Sequence, residues 1–237
     1  MRYAFVAKSY RHGDMGFLDD LKRQAEALQA QQTLDTAALD RNAQLADAAC
    51  KTAFTYLDTL VRQLLVLKPV SRARFEFDRR TRLEGLPITQ PKVDARRRQL
   101  RGHEVFDHVV LHARLANGQR LALVKDFPPE IEKLEPRLHA SGAPVHAQAV
   151  RHPESNKLLE MRYELPVDFA LSARFTPDHD RARIAVRLQN FDGLETVELE
   201  LPATELGSTR MDELARWLLG EPHRFLEGAQ GLRRIVA

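Results

Sequence analysis

The sequence predicts an α+β protein in which a long, coiled-coil-like N-terminal helical hairpin packs on a mainly antiparallel β-sheet with two short helices. First, residues 17–68 contain neither glycine nor proline. Second, several later segments alternate apolar with charged residues, as strands with one buried face do. Third, turn sequences such as Asn117-Gly118 lie between these segments.

The helical region carries a seam of leucine, alanine and cysteine spaced alternately by four and three residues. This spacing keeps one apolar stripe on a helix for more than three heptads. Beyond residue 56 the helix is apolar nearly all round, so we expect the sheet to cover it on more than one side. The seam residues are Leu39, Ala43, Ala46, Cys50, Ala53, Leu57, Leu60, Leu64 and Leu67.

A break in the phase of the seam predicts two helices rather than one. The spacing of an earlier seam, Leu18, Leu21, Ala25 and Leu28, continues onto the polar residues Gln32 and Asp35. Coiled coils tolerate such shifts poorly, and Thr33, Asp35 and Thr36 are competent helix N-caps. We therefore expect a hairpin of helices at about 17–32 and 36–67. The alternative is a single helix of about 75 Å.

We expect three regions, without a flexible linker between them. Residues 1–68 comprise a short strand at 2–10 and the hairpin, 69–104 an arginine-rich connecting segment, and 105–237 an antiparallel sheet region. Helices are expected near 129–139 and 209–219, and a β-hairpin is expected to turn at Asn117-Gly118. On the solvent face of the sheet, arginine and glutamate are expected to alternate across neighbouring strands.

The strongest concentration of charge lies at residues 72–101, which carry ten basic and four acidic residues, a net charge of +6. Pro87 and Pro91 favour an exposed loop. Arginine suits phosphate oxygens, so this segment is a candidate nucleic-acid or anion-binding site. A solvated loop paired with acidic neighbours is the simpler explanation, because stacking aromatics are missing and the whole chain has a net charge of only +3. The candidate residues are Arg79, Arg80, Arg82, Arg96, Arg97, Arg98 and Arg101.

Composition argues against several other functions. Cys50 is the single cysteine, so no intramolecular disulfide or cysteine zinc site is expected, which favours a reducing compartment. No apolar run approaches the roughly 20 residues of a membrane span. His108 and His112 fall in a predicted strand, where residues four apart lie about 13 Å from each other, too far to share a metal ion. His179, between two aspartates, is read as part of a polar turn. We expect a soluble cytoplasmic protein with no cofactor and no metal site.

These observations favour a non-catalytic interaction or scaffold protein that associates through its helical arm and the charged face of its sheet. A protein partner or a homo-oligomer is expected. Nucleic-acid binding through the arginine-rich segment is the alternative, and an enzyme of unrecognised type, with a site assembled from distant residues, is a further one. The residues proposed for self-association are Leu39, Ala43, Ala46, Cys50, Ala53 and Leu57.

Overall fold

The structure, a computed structural model, describes residues 17–236, with side chains from 21 to 235; the expected strand at 2–10 lies outside this range. Three α-helices, ten strands and one short 3-10 helix make up the described chain. The helices are α1 (Phe17–Leu67), α2 (Pro128–Ala140) and α3 (Ser208–Leu218), and the 3-10 helix is Ala203–Glu205. The strands are β1 (Val70–Ser71), β2 (Phe75–Glu76), β3 (Arg82–Leu83), β4 (Leu86–Leu100), β5 (His103–Lys125), β6 (His146–Arg151), β7 (Leu158–Asp178), β8 (Arg183–Gln189), β9 (Glu195–Pro202) and β10 (Gln230–Val236). Over residues 17–236, no helix combines the length and apolar composition that crossing a membrane requires.

The predicted helical hairpin is wrong, because α1 runs without interruption over 51 residues. The hydroxyls of Thr33 and Thr36 donate to the carbonyl oxygens of Gln29 and Gln32, one turn earlier, instead of capping a new helix. Neither glycine nor proline interrupts the backbone here, so a change in the phase of the seam alters which face is apolar without ending the helix. The structure has the single helix that the sequence offered as the alternative.

The chain divides into two compact units, Met1–Arg41 and Asn42–Ala237, with the boundary inside α1. In the second unit, residues 42–67 of α1 pack on the sheet through the hydrophobic core. Two contacts with the start of β5 fix the helix there. The Asp47 carboxylate accepts a hydrogen bond of 2.8 Å from the backbone N–H of Phe106, and the rings of Phe54 and Phe106 lie 6.2 Å apart.

The predicted antiparallel sheet is confirmed, and it is curled. Its strand order is β1-β4-β5-β7-β8-β9-β10, with β6 paired to the first part of β7, and every pairing is antiparallel. Strands β2 and β3 form a separate two-stranded sheet. The odd-numbered side chains of β7 from Tyr163 to Phe175 are buried, so the sheet has one apolar face, as the alternation predicted.

The expected hairpin at Asn117-Gly118 is wrong, because β5 continues through this sequence. Both halves of β5 pair with β7, and the register shifts between Ala116 and Arg120. The Asn117 side chain accepts a hydrogen bond of 3.0 Å from the Gln119 N–H, forming a local turn that extrudes three residues as a bulge. Since β7 extends over 21 residues, it supplies a partner on both sides of the bulge, and the chain does not need to reverse.

The second half of the arginine-rich segment is a strand rather than part of the expected loop. Strand β4 covers 86–100 and pairs with β5 along its length. The two prolines of β4 lie in its first part, where the pairing is irregular. Pro87 pairs with Val70 of β1. Pro91 lies at a shift in the register with β5 and follows Gln90, which has a φ of 49°. Proline is tolerated at such bulges because the missing N–H would not join the regular ladder there.

The two predicted short helices are confirmed as α2 and α3. Each buries its apolar face in the core: Ile131, Leu134 and Leu138 from α2, and Met211, Leu214, Trp217 and Leu218 from α3. Together with the second half of α1, these two helices pack on the apolar face of the sheet.

Candidate functional site

The seam proposed for self-association lies mostly in the core. Ala46, Cys50, Ala53 and Leu57 are completely buried, while Leu39 and Ala43 are half-buried. Burial, and after it the charge of Asp47, raises the pKa of the Cys50 thiol to about 12. Packing in the core of the second unit therefore explains the regular spacing from Ala46 onward without self-association. A role of this seam in self-association stays a prediction.

The first part of α1 presents a different surface, which we call the exposed arm, residues 21–37. Every side chain in it is exposed. Leu28 and Leu34 are 61% and 67% exposed, and Leu21 is 43% exposed. Leu21, Ala25 and Leu28 lie on one face at heptad spacing. The arm therefore carries an apolar stripe that faces solvent.

The end of α1 is covered on one side only, contrary to the expectation that the sheet covers it on more than one side. Leu57, Val61 and Leu64 are buried, but Leu65, Val66 and Leu67 remain exposed. Only Lys68 and Pro69 separate this last helical turn from β1, which begins at Val70, and the sheet covers its inner face alone. A second apolar surface is thereby left in contact with solvent.

The seven candidate arginines divide between two hairpins. Arg79 and Arg80 lie in the turn between β2 and β3, and Arg82 is the first residue of β3. The other four lie at the hairpin of β4 and β5. Asp78, next to the first group, forms an ion pair of 2.8 Å with Lys125 at the last residue of β5. The second group lies beside the first residues of the same strand. The structure therefore places the two groups at opposite ends of β5 and does not combine them into one run.

Most of these arginines have carboxylate partners. Arg82 pairs with Glu76 and Arg101 with Asp180, while Arg97 lies 3.5 Å from Glu104 and Arg98 lies 3.8 Å from Asp107. The Arg97 guanidinium also stacks over the Phe106 ring, 4.3 Å from its centre. Within the described residues, Arg79, Arg80 and Arg96 form no ion pair. Pairing with acidic neighbours, which the sequence offered as the simpler explanation, accounts for four of the seven.

The histidines of β5 lie on a strand, as predicted. The Nδ1 of His108 lies 2.9 Å from the carboxylate of Asp107. Burial, followed by the charge of Lys92, lowers the pKa of His112. Within the part of the chain that the structure describes, no three histidine, cysteine, aspartate or glutamate side chains are arranged to hold a metal ion.

His179 belongs to a turn, as the sequence suggested, but its side chain is buried. Its Nε2 lies 2.8 Å from the carbonyl oxygen of Phe106. The Asp178 carboxylate is already occupied, since it accepts hydrogen bonds of 3.1 Å from the backbone N–H groups of Asp180 and Arg181. The side chain of His179 thus has a structural contact, joining the turn between β7 and β8 to β5.

Glu195 lies in a cleft of about 350 Å³ and is the most enclosed carboxylate of this region. Its carboxylate accepts a hydrogen bond of 2.8 Å from Arg234, and burial raises its pKa against the opposing charge of Arg234. His223 stacks on Trp217 with 4.3 Å between ring centres, and burial lowers its pKa. Sequence reasoning missed the pair of Glu195 and Arg234 because it joins β9 to β10, and nothing in the spacing of the two residues connects them.

Two larger clefts lie beside helices. One of about 570 Å³ lies between α1 and the start of α3, where the Tyr56 hydroxyl donates a hydrogen bond of 2.6 Å to Asp212. The other, of about 630 Å³, lies between α2 and β6. There the Tyr163 hydroxyl donates to Glu135 at 3.0 Å, and burial and then this contact raise the pKa of Tyr163 to about 12. Both tyrosines serve as hydrogen-bond donors between elements.

The solvent face of the sheet departs from the expected alternation of charge. Arg187 lies opposite Glu198, as expected, but Arg174 lies directly opposite Arg187. Like charges in direct opposition are unfavourable. The pair could have been found from the sequence by placing the hairpin loop at 179–182, because that loop sets the register of β7 and β8 and brings Arg174 opposite Arg187.

The chain matches no protein-family model, and comparison with curated proteins and with solved structures finds no significant similarity. The residues and their arrangement therefore carry the functional argument alone.

Proposed function

We propose that this is a non-catalytic interaction protein of the cytoplasm that associates with a second copy of itself through the exposed arm. The observation that carries the proposal is the solvent-facing apolar stripe of Leu21, Ala25 and Leu28. Full burial of one leucine is worth about 1.5–3 kcal/mol. Covering this stripe on two copies therefore supplies a driving force for association.

A second copy fits the stripe for reasons of symmetry and spacing. An isologous pair requires the same surface on both partners, and an amphipathic helix provides it. The stripe has the heptad spacing of helices that pair side by side. Its next two positions are Gln32 and Asp35, and polar residues at such positions favour one register over others at some cost in stability.

Light scattering and sedimentation across a range of protein concentrations test the proposal. We expect a dimer or higher oligomer at micromolar concentration, converted to monomer by the double substitution Leu21→Asp and Leu28→Asp. The matched control is Ala27→Asp with Ala30→Asp, which adds the same charge on the outer side of the same helix. A wild-type protein that stays monomeric, or equal dissociation of both double variants, would overturn the proposal.

Nucleic-acid binding is a second candidate, supported by the arginines at the two hairpins that form no ion pair among the described residues, Arg79, Arg80 and Arg96. Phosphate contacts by arginine give binding that weakens steeply with salt. This candidate predicts salt-sensitive binding of a single-stranded oligonucleotide that is lost when Arg96, Arg97 and Arg98 are all changed to alanine. Binding that survives the triple change would exclude these arginines as the contact surface.

The enzyme alternative stays a prediction. The cleft around Glu195 is the place to look for it, because a partly buried carboxylate with a raised pKa is typical of acid–base sites. The ion pair of Glu195 with Arg234 offers a structural role for Glu195 instead, because it joins β9 to β10.

A further inference from the structure

The sheet has a row of four charged side chains across four adjacent strands on its solvent face. Arg174 of β7 pairs in register with Arg187 of β8, Arg187 with Glu198 of β9, and Glu198 with Arg233 of β10. Three of the four are arginine. Cross-strand neighbours lie close enough for their charges to act on one another, so the row concentrates positive charge.

A cleft of about 420 Å³ adjoins this row. The neighbouring row of the sheet places the small Ala185 between Thr176 and Glu200. On the side of β10, the register shifts between Gln230 and Arg233, and Gly231 in this bulge has a φ of 61°. The cleft exists because an alanine and a glycine occupy positions where larger side chains would fill the surface. All three arginines of the row line it.

The carboxylates at the cleft do not neutralise all of its arginines. Glu200 accepts a hydrogen bond of 2.9 Å from Arg183, and Glu198 lies 3.7 Å from Arg187. Arg174 and Arg233 form no ion pair or hydrogen bond through their side chains with any residue that the structure describes. Two unpaired guanidinium groups therefore border a concave site, one on each side.

We propose that this cleft binds the phosphate group of a small anionic ligand, held between Arg174 and Arg233 with Arg187 and Thr176 beside them. Each guanidinium presents several N–H donors in a plane that matches phosphate oxygens. A phosphate accepts from more donors than a single carboxylate does, which suits three converging arginines. The backbones of β7 and β10 are about 14 Å apart, at three strand spacings, which leaves room for two long side chains to reach one ligand. The volume falls in the range of small-molecule sites.

The like-charged pair supports a binding role over a structural one. Arg174 directly opposite Arg187 costs stability in the free protein, and an anion between them removes that repulsion. Replacing Arg174 by glutamine should therefore leave the thermal stability of the free protein unchanged or raise it, while weakening the bound state. A residue that served only the fold would show the opposite effect on stability.

Isothermal titration with inorganic pyrophosphate, at fixed ionic strength, tests the site in the full-length protein. We expect Arg174→Gln and Arg233→Gln each to weaken binding about tenfold or more, since a charged hydrogen bond contributes that much. Glu198→Gln should tighten binding several-fold, because it releases Arg187 from its competing carboxylate. The control is Arg62→Gln, which removes the same charge from an exposed position on α1.

Three results would overturn the proposal. One is no binding of pyrophosphate at millimolar concentration by the wild-type protein. Another is equal weakening by Arg62→Gln, which would indicate attraction to overall charge instead of a site. The third is a single-stranded oligonucleotide that displaces pyrophosphate and binds far more tightly, which would make this face a nucleic-acid surface. The site does not depend on self-association, because its residues lie on the sheet and the double substitution in the exposed arm leaves them intact.

Discussion

The side-chain amide of Asn190 donates a hydrogen bond of 2.8 Å to the carbonyl oxygen of Ala140, fifty residues earlier in the chain. The same amide donates at 2.7 Å to the carbonyl oxygen of Ala170. Asn190 is fully buried, and it links the end of α2 to β7 from the turn after β8. One amide thus donates to two carbonyl groups from different parts of the chain.

Replacing Asn190 by alanine should lower the free energy of unfolding by about 1–3 kcal/mol, because the partly buried Ala170 carbonyl group loses this donor and the Ala140 carbonyl group keeps only the 3.5 Å contact with the Gln189 side-chain amide. Asn190 also has a φ of 58°, a conformation that asparagine tolerates better than alanine. Urea denaturation followed by circular dichroism measures the change. Gln148→Ala, an amide removed from an exposed strand position, should change stability by less than about 0.5 kcal/mol. Equal effects of the two substitutions would contradict the role of Asn190.

Gly220 and Gly102 offer a matched pair of glycines with positive φ. A Cβ at Gly220, where φ is 69°, would lie 2.5 Å from the backbone N of Ala73, whereas a Cβ at Gly102, where φ is 82°, would meet nothing within 4 Å. Gly220→Ala should cost about 3 kcal/mol or more, since backbone strain adds to a collision with a rigid backbone. Gly102→Ala carries the strain alone and should cost about 1–2 kcal/mol. Thermal unfolding of both variants decides the matter, and a smaller loss for Gly220→Ala than for Gly102→Ala would refute this account.

Asp78 should make stability depend on pH in the acid range. Burial tends to raise its pKa, but hydrogen bonds from Lys125 and from the backbone N–H groups of Arg80 and Thr81 lower it to about 2. Because the folded-state pKa lies below the unfolded value near 4, the stabilisation is complete above pH 4 and is lost as the pH falls towards 2. Asp78→Asn should therefore cost about 1–2 kcal/mol at pH 7, and the two proteins should converge by pH 2. A difference that stays constant from pH 7 to pH 2 would rule out this linkage.

Cys50 should be unreactive while the protein is folded. It is a buried free thiol with a pKa raised to about 12, and the thiolate is the reactive form. A thiol reagent at pH 8 should label the unfolded chain within minutes and leave the native protein unlabelled. Rapid labelling of the native protein would show that the helix opens locally or that the seam is not packed.

The same thiol should weaken the fold in alkali. Between the unfolded value near 9 and about 12, the unfolded chain loses the Cys50 proton while the folded chain keeps it. The unfolded state then binds fewer protons, so stability falls as the pH rises through this window. Cys50→Ala should make the decline between pH 9 and 11 shallower in urea denaturation. An identical slope in the two proteins would argue against this contribution.

Local sequence was sufficient to predict which face of a helix or strand is buried. The seam residues Ala46, Cys50, Ala53 and Leu57 are buried as their spacing indicated, because helical periodicity decides which side chains share a stripe. The apolar faces of α2 and α3 and the one-sided sheet followed from periodicity in the same way. These features depend on residues within a few positions of one another.

Local sequence was insufficient where distant partners decided the outcome. Asn117-Gly118 has the sequence of a hairpin turn, yet β7 pairs on both sides of it and turns it into a bulge. The segment that forms β4 is rich in arginine and contains two prolines, as loops often do, yet it pairs with β5 as a strand. In both cases the ladder of hydrogen bonds with a neighbouring strand outweighed the local preference.

The sequence by itself determined which kinds of element this protein contains: a long N-terminal helical region, a sheet with one apolar face, and two short amphipathic helices. It did not determine that the helical region forms one continuous helix. Tertiary structure alone decided which charges meet. The register of β7 and β8 places Arg174 against Arg187, and the bulge of β10 opens the cleft beside them. Periodicity is written into neighbouring residues, whereas register depends on pairings between residues far apart in the chain, which no single segment specifies.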